Sequence, residues 1–501
     1  MLILATILFC VVSALADVTL RTPFKNHAVF QRGIKIPVWG TADPGEKVLV
    51  ELGKQKANAV ADAAGKWMAR LDPMEAGGPF EMTVKGSNEI TVTDILIGDV
   101  WICSGQSNME FQVNSGLNAR QEVAEADYPE IRFLAVTKKV ADEPQESTWG
   151  SWTLCSPKSA GGFSAVGYFF GRELYRELKV PIGLINSSWG GTPIEAWMSR
   201  EVLESEPSFK VFITRWERAK ESYDRQRQRY EEQLAEWDIL SESAALAGEP
   251  APKRPKPPVA LNEFLMKPAC LFNGMIYPLI PFGIKGAIWY QGESNAGEAR
   301  KYQKLFPAMI RDWRSRWNQG DFGFMFVQLA NFMAVQKRPS EGGWAELREA
   351  QLMTLSVPKT GMAVITDIGD EKDIHPKNKQ DVGKRLALAA LGTVYDKKIV
   401  YYGPIYDSMK VEGSKIRLSF KHAGTGLAVK EGEELKGFAI CGENKSFKWA
   451  NVQIDGNTVL AWNDEIEIPV AIRYGWANNP IGNLYNKEGL PATPFRTDAP
   501  N

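Results

Sequence analysis

Cysteine and histidine are scarce in this 501-residue sequence, at five and three residues, and that scarcity excludes two kinds of architecture. Cys10, Cys103, Cys155, Cys270 and Cys441 are scattered without a C-x-x-C pair. A disulfide scaffold is therefore excluded as the main source of stability, although a single bridge fits the count. His27, His375 and His422 stand far apart, which argues against a His/Cys zinc site, so neither metal nor cofactor is expected. An excess of charge is also missing. Lys and Arg number 59 against 60 Asp and Glu, a net charge of -1, and give no electrostatic reason for nucleic acid or an anionic membrane as partner. Beyond the first residues no segment reaches the roughly 20 continuous apolar residues of a membrane span. A small or neutral partner fits better.

Residues 1–16 form a short apolar run without an acidic residue, ending in Ala14-Leu15-Ala16 before Asp17. This reads as a signal peptide cleaved after Ala16, which makes the mature chain secreted or periplasmic. The competing reading is a buried N-terminal strand or anchor.

The remaining composition, 44% hydrophobic and 24% charged, is that of a folded protein long enough for two or three domains. From 17 to 97, short alternating runs at 35–39, 48–52, 66–71 and 80–84 are separated by turns such as Asp43-Pro44-Gly45. They predict a small β-sandwich, or an extension of a larger sheet. From 98 to 395 apolar runs at 100–103, 182–185, 284–290, 324–329 and 362–366 alternate with amphipathic stretches at 165–178, after Ser164, and 302–317. That rhythm predicts a three-layer α/β/α domain around a parallel sheet. A helical insertion over about 204–260 interrupts it. Trp216, Tyr223, Tyr230 and Trp237 recur there every seventh position on a charged helix, a packing stripe more readily than a ligand site; a Pro-rich linker follows at 248–258. After a helix at 379–391, runs at 398–402, 415–420, 437–441 and 458–462 predict a C-terminal β-rich region over 396–501.

Catalytic groups on parallel sheets gather at the carboxyl ends of strands. At the first such end stands Cys103-Ser104-Gly105-Gln106-Ser107-Asn108-Met109. A serine in a tight strand-to-helix turn can present its hydroxyl while its own N–H faces a developing oxyanion. The run is not the G-x-S-x-G elbow, because Met109 replaces the second glycine. At two further strand ends lie Asn186-Ser187-Ser188-Trp189-Gly190-Gly191-Thr192 and Trp289-Tyr290-Gln291-Gly292-Glu293-Ser294-Asn295. Their glycines allow close backbone approach, and Gln291 carries an amide suited to an oxyanion. A serine nucleophile needs a base titrating near neutrality. Of the three histidines, His375, in Asp373-Ile374-His375-Pro376, is the one on a predicted sheet-end loop.

These blocks, 98–109, 289–295 and Ile374-His375-Pro376 with Lys379-Gln380, resemble the sialate O-acetylesterase family of SGNH/GDSL hydrolases. The resemblance extends to Phe30-Gln31-Arg32 and to 473–476 and 494–498, nearly the whole mature chain. It implies metal-free hydrolysis of an acetyl ester on a carbohydrate, with Ser107 as nucleophile and His375 as base. The oxyanion hole it implies comprises the N–H of Ser107, a backbone N–H at Gly190 or Gly191, and the side chain of Gln291. The superfamily's acid, usually three residues before the histidine, is replaced by Lys372. Either Asp373 orients the imidazole, or a backbone carbonyl does and the machinery is a Ser-His dyad.

Gln106, Asn108, Trp189 and Glu293 are candidates for contact with the sugar, Trp189 as a stacking platform, and Glu293 alternatively as a carboxylate pinning its loop. Acetylated sialic acid and acetylated plant-type polysaccharide such as xylan both fit the motifs. A non-catalytic carbohydrate-binding protein would have no need of Ser107 and His375 together, and a lipase or arylesterase would need an apolar acyl pocket.

Overall fold

The structure, a computed structural model, describes residues 17–259, 267–430 and 433–498; the segment read as a signal peptide, with Cys10, lies outside the described residues. Seven strands carry the site: β1 (Glu89–Gly105), β2 (Tyr128–Ala135), β3 (Trp152–Cys155), β4 (Ile182–Ser188), β5 (Gly286–Tyr290), β6 (Gly323–Gln328) and β7 (Thr360–Val364). They lie in the order β3-β2-β4-β1-β5-β6-β7, with every pairing parallel except that of the edge strand β3. Strands β5, β6 and β7 are buried at every position. That is why they read in the sequence as continuous apolar runs: both faces are covered.

The covering helices are α1 (Ala165–Leu178), α3 (Ala299–Trp317), α4 (Gly343–Met353) and α5 (Lys379–Thr393), and between α1 and α3 in the chain stands the long, mostly exposed α2 (Pro207–Ala247). Two tryptophans show the layering. Trp101 on β1 meets Phe170 of α1 at 5.0 Å between ring centroids, whereas Trp289 on β5 meets Phe306 and Trp313 of α3 at 6.3 and 6.0 Å. Trp101 pairs in register with Gly286, and Trp289 with Ser104; side chains alternate along a strand, so the two rings stand on opposite faces. Both are fully buried, each contributing about 2–3 kcal/mol of hydrophobic stabilisation. Helix α1 begins where its cap predicts, with the Ser164 hydroxyl accepting the Gly167 N–H at 3.1 Å.

The N-terminal strands pair onto the first half of β1, through Gly77–Lys85 and Val29–Gln31. One strand therefore runs through residue 97, and the N-terminal β region shares its core with the α/β layers: Phe24 and Phe30 both pack on Phe282, at 5.7 and 5.8 Å. The C-terminal β region has a core of its own around Ile416, Leu418, Val459, Ile472 and Phe495. It is tied to the α/β layers by Arg348 of α4, fully buried, which donates to the carbonyls of Leu329, Ala330, Ala477 and Asn478. The strand expected at 398–402 is absent; this stretch is irregular, and the first C-terminal strand is Ile405–Glu412. Tyr401 and Tyr402 instead pack against His422, and the Tyr402 carbonyl accepts from Asn486 at 2.9 Å.

The insertion is the long helix α2, closed by Gly248 at φ +71°. Two of its heptad aromatics, Trp216 and Trp237, meet the returning chain. The Trp237 N–H donates to the Pro252 carbonyl at 2.6 Å, Arg254 lies over the Trp237 ring, and Lys267 lies over Trp216. Among the described residues no helix is long and apolar enough to cross a membrane, and Cys103, Cys155, Cys270 and Cys441 are free thiols.

Candidate active site

Strand register brings the motifs together. Gly105 lies beside Ser188 on one side and Tyr290 on the other, so the turns following β1, β4 and β5 leave the sheet at one level, where the strand order reverses. Gly105 has φ +136° and its Cα touches the next strand: a Cβ built there would stand 2.2 Å from the Tyr290 carbonyl oxygen. The same carbonyl accepts the Gln106 N–H at 3.0 Å. The chain then enters one helical turn, Ser107–Glu110, whose opening N–H groups have no intrahelical acceptor.

The loop after β7 returns His375 to this turn. His375 Nε2 is 2.8 Å from Ser107 Oγ, the geometry of a nucleophile and its base. The imidazole is stacked near Phe111, 6.4 Å between ring centroids. Asp373 Oδ1 accepts the backbone N–H of His375 at 2.9 Å, and its distance to Nδ1 is 3.4 Å. The carboxylate is 50% exposed, so it secures the loop more firmly than it holds the ring. The other two histidines are remote from Ser107: His27 Nδ1 pairs with Asp94 at 2.6 Å, and His422 packs on the two tyrosines.

Of the two glycines, Gly190 lies against Ser107, since a Cβ there would be 3.1 Å from Ser107 Cβ, while Gly191 at φ +75° faces open space. The Gly190 N–H donates to Glu110 Oε2 at 2.8 Å. Glu110 in turn is paired with Lys138, whose ammonium stands 5.3 Å from the half-buried Trp189 ring. A carboxylate thus lies on the backbone donor beside Ser107. Neither Glu110 nor Lys138 is conspicuous in the sequence, although Glu110, three residues after Ser107 on one helical turn, falls on its face.

Gln291 is turned into the protein. Its side chain is completely buried, and both amide protons are used, on the Thr192 carbonyl at 3.2 Å and Asn295 Oδ1 at 2.7 Å; Tyr302 donates to its Oε1 at 2.9 Å. Gln291 thus has both donors engaged within the protein. It braces the Gly190 loop, together with Asn295, whose Oδ1 also accepts the Ile194 N–H and whose amide donates to Glu195. Burial pushes the Glu195 carboxyl up to about 7.

Of the expected sugar contacts, Gln106 and Asn108 are buried and Glu293 is half-buried. Gln106 is buried, and its Oε1 accepts the N–H groups of Gly292 and Ser294 at 3.4 and 3.2 Å. Asn108 is buried and donates to Glu293 Oε1 at 2.6 Å and to the Ile374 carbonyl at 3.0 Å. Burial raises the Glu293 carboxyl above its usual range. Trp189 is half-buried as well.

The family described as "Carbohydrate esterase, sialic acid-specific acetylesterase" matches residues 97–230 and 274–392. The sialate O-acetylesterase of Mus musculus is 33% identical over 91% of this chain and 90% of its own length, and that of Homo sapiens 31% over 91% and 88%. A crystal structure of a carbohydrate acetylesterase from Xanthomonas citri, 39% identical, superposes with a TM-score of 0.82 over 96% of this chain and 100% of its own. With the SGNH-like α/β architecture and a site at the sheet's switch point, these matches establish that the chain belongs to the sialate O-acetylesterase family of carbohydrate esterases and is an ester hydrolase.

Proposed function

We propose that this protein is an exported carbohydrate O-acetylesterase that works through Ser107 and His375 and an acetyl-enzyme intermediate. The 2.8 Å contact between Ser107 Oγ and His375 Nε2 carries the reading. Ser107 Oγ attacks the acetyl carbonyl carbon as its proton passes to His375 Nε2. The tetrahedral oxyanion is held by the N–H of Ser107 and by that of Gly190 once the Glu110 carboxylate withdraws from it. Collapse breaks the ester bond, and the departing sugar oxygen takes the proton from His375. Water then attacks the acetyl-enzyme, gives its proton to His375, and acetate leaves as that proton returns to Ser107.

The relatives named for sialate favour acetylated sialic acid as substrate. The Xanthomonas protein is named a carbohydrate acetylesterase, without a sialate substrate, and a second reading places the acetyl groups on a polysaccharide such as xylan. Export rests on the apolar run ending at Ala16, and N-terminal sequencing of the exported protein should begin at Asp17. The deciding assay is acetate release from O-acetylated sialic acid and from acetylated xylan, with Ser107→Ala as control. Release from at least one is expected; a folded protein releasing acetate from neither at neutral pH would refute the proposal.

Asp373 separates a triad from a dyad. Its 3.4 Å distance to Nδ1 and its exposure leave it a screened partner. Asp373→Asn should lower kcat/KM by about tenfold or less, against the roughly 10⁴-fold loss that follows when a buried triad aspartate is neutralised. A loss of the larger size would make Asp373 a full member of the triad.

A further inference from the structure

Beneath the nucleophile lies a charged group that the chemistry above does not use. Lys379 is the first residue of α5, four residues beyond His375, and is fully buried. Its ammonium sits between the rings of Phe111 and Tyr290, 4.8 and 5.2 Å from their centroids, and donates to Asn108 Oδ1 at 2.5 Å. The nitrogen of that same amide donates to Glu293 Oε1 and to the carbonyl of Ile374. Asn108 follows the nucleophile and Ile374 precedes the base, so one amide group spans the two catalytic loops.

The charges at its two ends fix which way the amide points. The ammonium faces its oxygen and the carboxylate faces its nitrogen. Reversed, Asn108 would set its oxygen against the Ile374 carbonyl and the Glu293 carboxylate, and the connection to the histidine loop would be lost. Burying a lysine and a glutamate at this depth is costly, and apolar side chains of the same volume would pack more favourably. Charges retained in contact with reacting residues are accounted for by orientation, as a buried network with one allowed arrangement.

We infer that Lys379 is a positioning residue of the esterase site: through Asn108 its ammonium locks the Ser107 turn to the His375 loop and maintains the contact between hydroxyl and imidazole. The inference rests on the Ser107–His375 reading. It gives the site a dependence on pH. The groups facing Lys379 are Glu293 from the turn after β5, Asp373 from the histidine loop, and Tyr290 from β5, whose phenol burial keeps neutral. Burial outweighs the two carboxylates and brings the Lys379 ammonium down to about 7. Raising the pH through neutrality removes its proton and the charge from its bond to Asn108, so kcat should fall on the alkaline side.

The test is the pH profile of 4-nitrophenyl acetate hydrolysis by the full chain, with Ser107→Ala run beside it. Lys379→Met should lower kcat about 10- to 100-fold, with KM within about twofold, as expected for a misplaced reacting group, and should abolish the alkaline limb. Glu293→Gln preserves volume and the acceptor for Asn108 but removes the opposing charge, so Lys379 should lose its proton more readily and the limb should move to lower pH. This variant decides the matter if Lys379→Met does not fold. Ser107-dependent turnover with the alkaline limb unmoved in Glu293→Gln, or with kcat unchanged in Lys379→Met, overturns the role of Lys379 alone. Turnover that survives in Ser107→Ala overturns the nucleophile assignment and this inference with it.

Discussion

Ser107→Ala should lower acetate release by about 10⁴-fold or more, and His375→Ala by a similar factor. Combining the two should cost little beyond either alone. The reason is that the hydroxyl and the imidazole, 2.8 Å apart, act as one unit: without the base the hydroxyl is a weak nucleophile, and without the hydroxyl the base has no proton to take. The residual rate would come from the backbone donors and from binding. Affinity for the intact substrate should persist in Ser107→Ala, because the alanine removes one oxygen from a turn whose backbone is fixed by the Gln106 N–H on the Tyr290 carbonyl. Rates measured on the single and double variants, with binding of intact substrate to Ser107→Ala, check this. A double variant whose loss is the product of the two single losses would mean that the residues act independently.

Gly105→Ala should be the most damaging single change for stability around the site, by about 3 kcal/mol or more. Two costs combine there. At φ +136° a residue with a Cβ is strained, and the Cβ would stand 2.2 Å from the Tyr290 carbonyl oxygen. Relief requires β1 and β5 to separate at their ends, which breaks the Gln106 bond and displaces the Ser107 turn. Urea unfolding of the variant should show a much lower midpoint, together with loss of activity. A midpoint close to that of the unsubstituted protein, with activity kept, would show that the turn has room this geometry denies it.

Much of the architecture is legible in the sequence, for reasons tied to particular elements. Strands β5 and β6 are covered on both faces, so burial alone makes them apolar runs. Ser164 and the stretch after it announce α1 through a cap with a direct hydrogen bond. That Ser107 and His375 come together is legible because a serine turn at a strand end needs a base and the sequence offers few histidines.

Side-chain direction is not legible in the same way. Gln291 stands at a strand end as expected, but its amide turns inward, because Thr192, Asn295 and Tyr302 supply every partner it needs. Gln106 and Asn108 look like polar residues available to a substrate and are buried, while Glu293, half-buried, turns one carboxylate oxygen onto Asn108. Nothing local marks Lys379 as buried, since it begins a helix, where lysine is ordinarily exposed; only the packing of α5 against the Ser107 turn encloses it. At 398–402, strand-like residues are drawn into an aromatic cluster with His422, a tertiary contact that outweighs local propensity.

The central claim is that Ser107 carries the acetyl group during turnover. It is tested most directly by quenching the enzyme in acid while it turns over an activated acetyl ester and mapping the acetylated peptide by mass spectrometry. The account predicts one acetyl group on the peptide containing Ser107, absent from Ser107→Ala. Acetylation confined to another residue, or Ser107→Ala turning over at the rate of the unsubstituted enzyme, would contradict it.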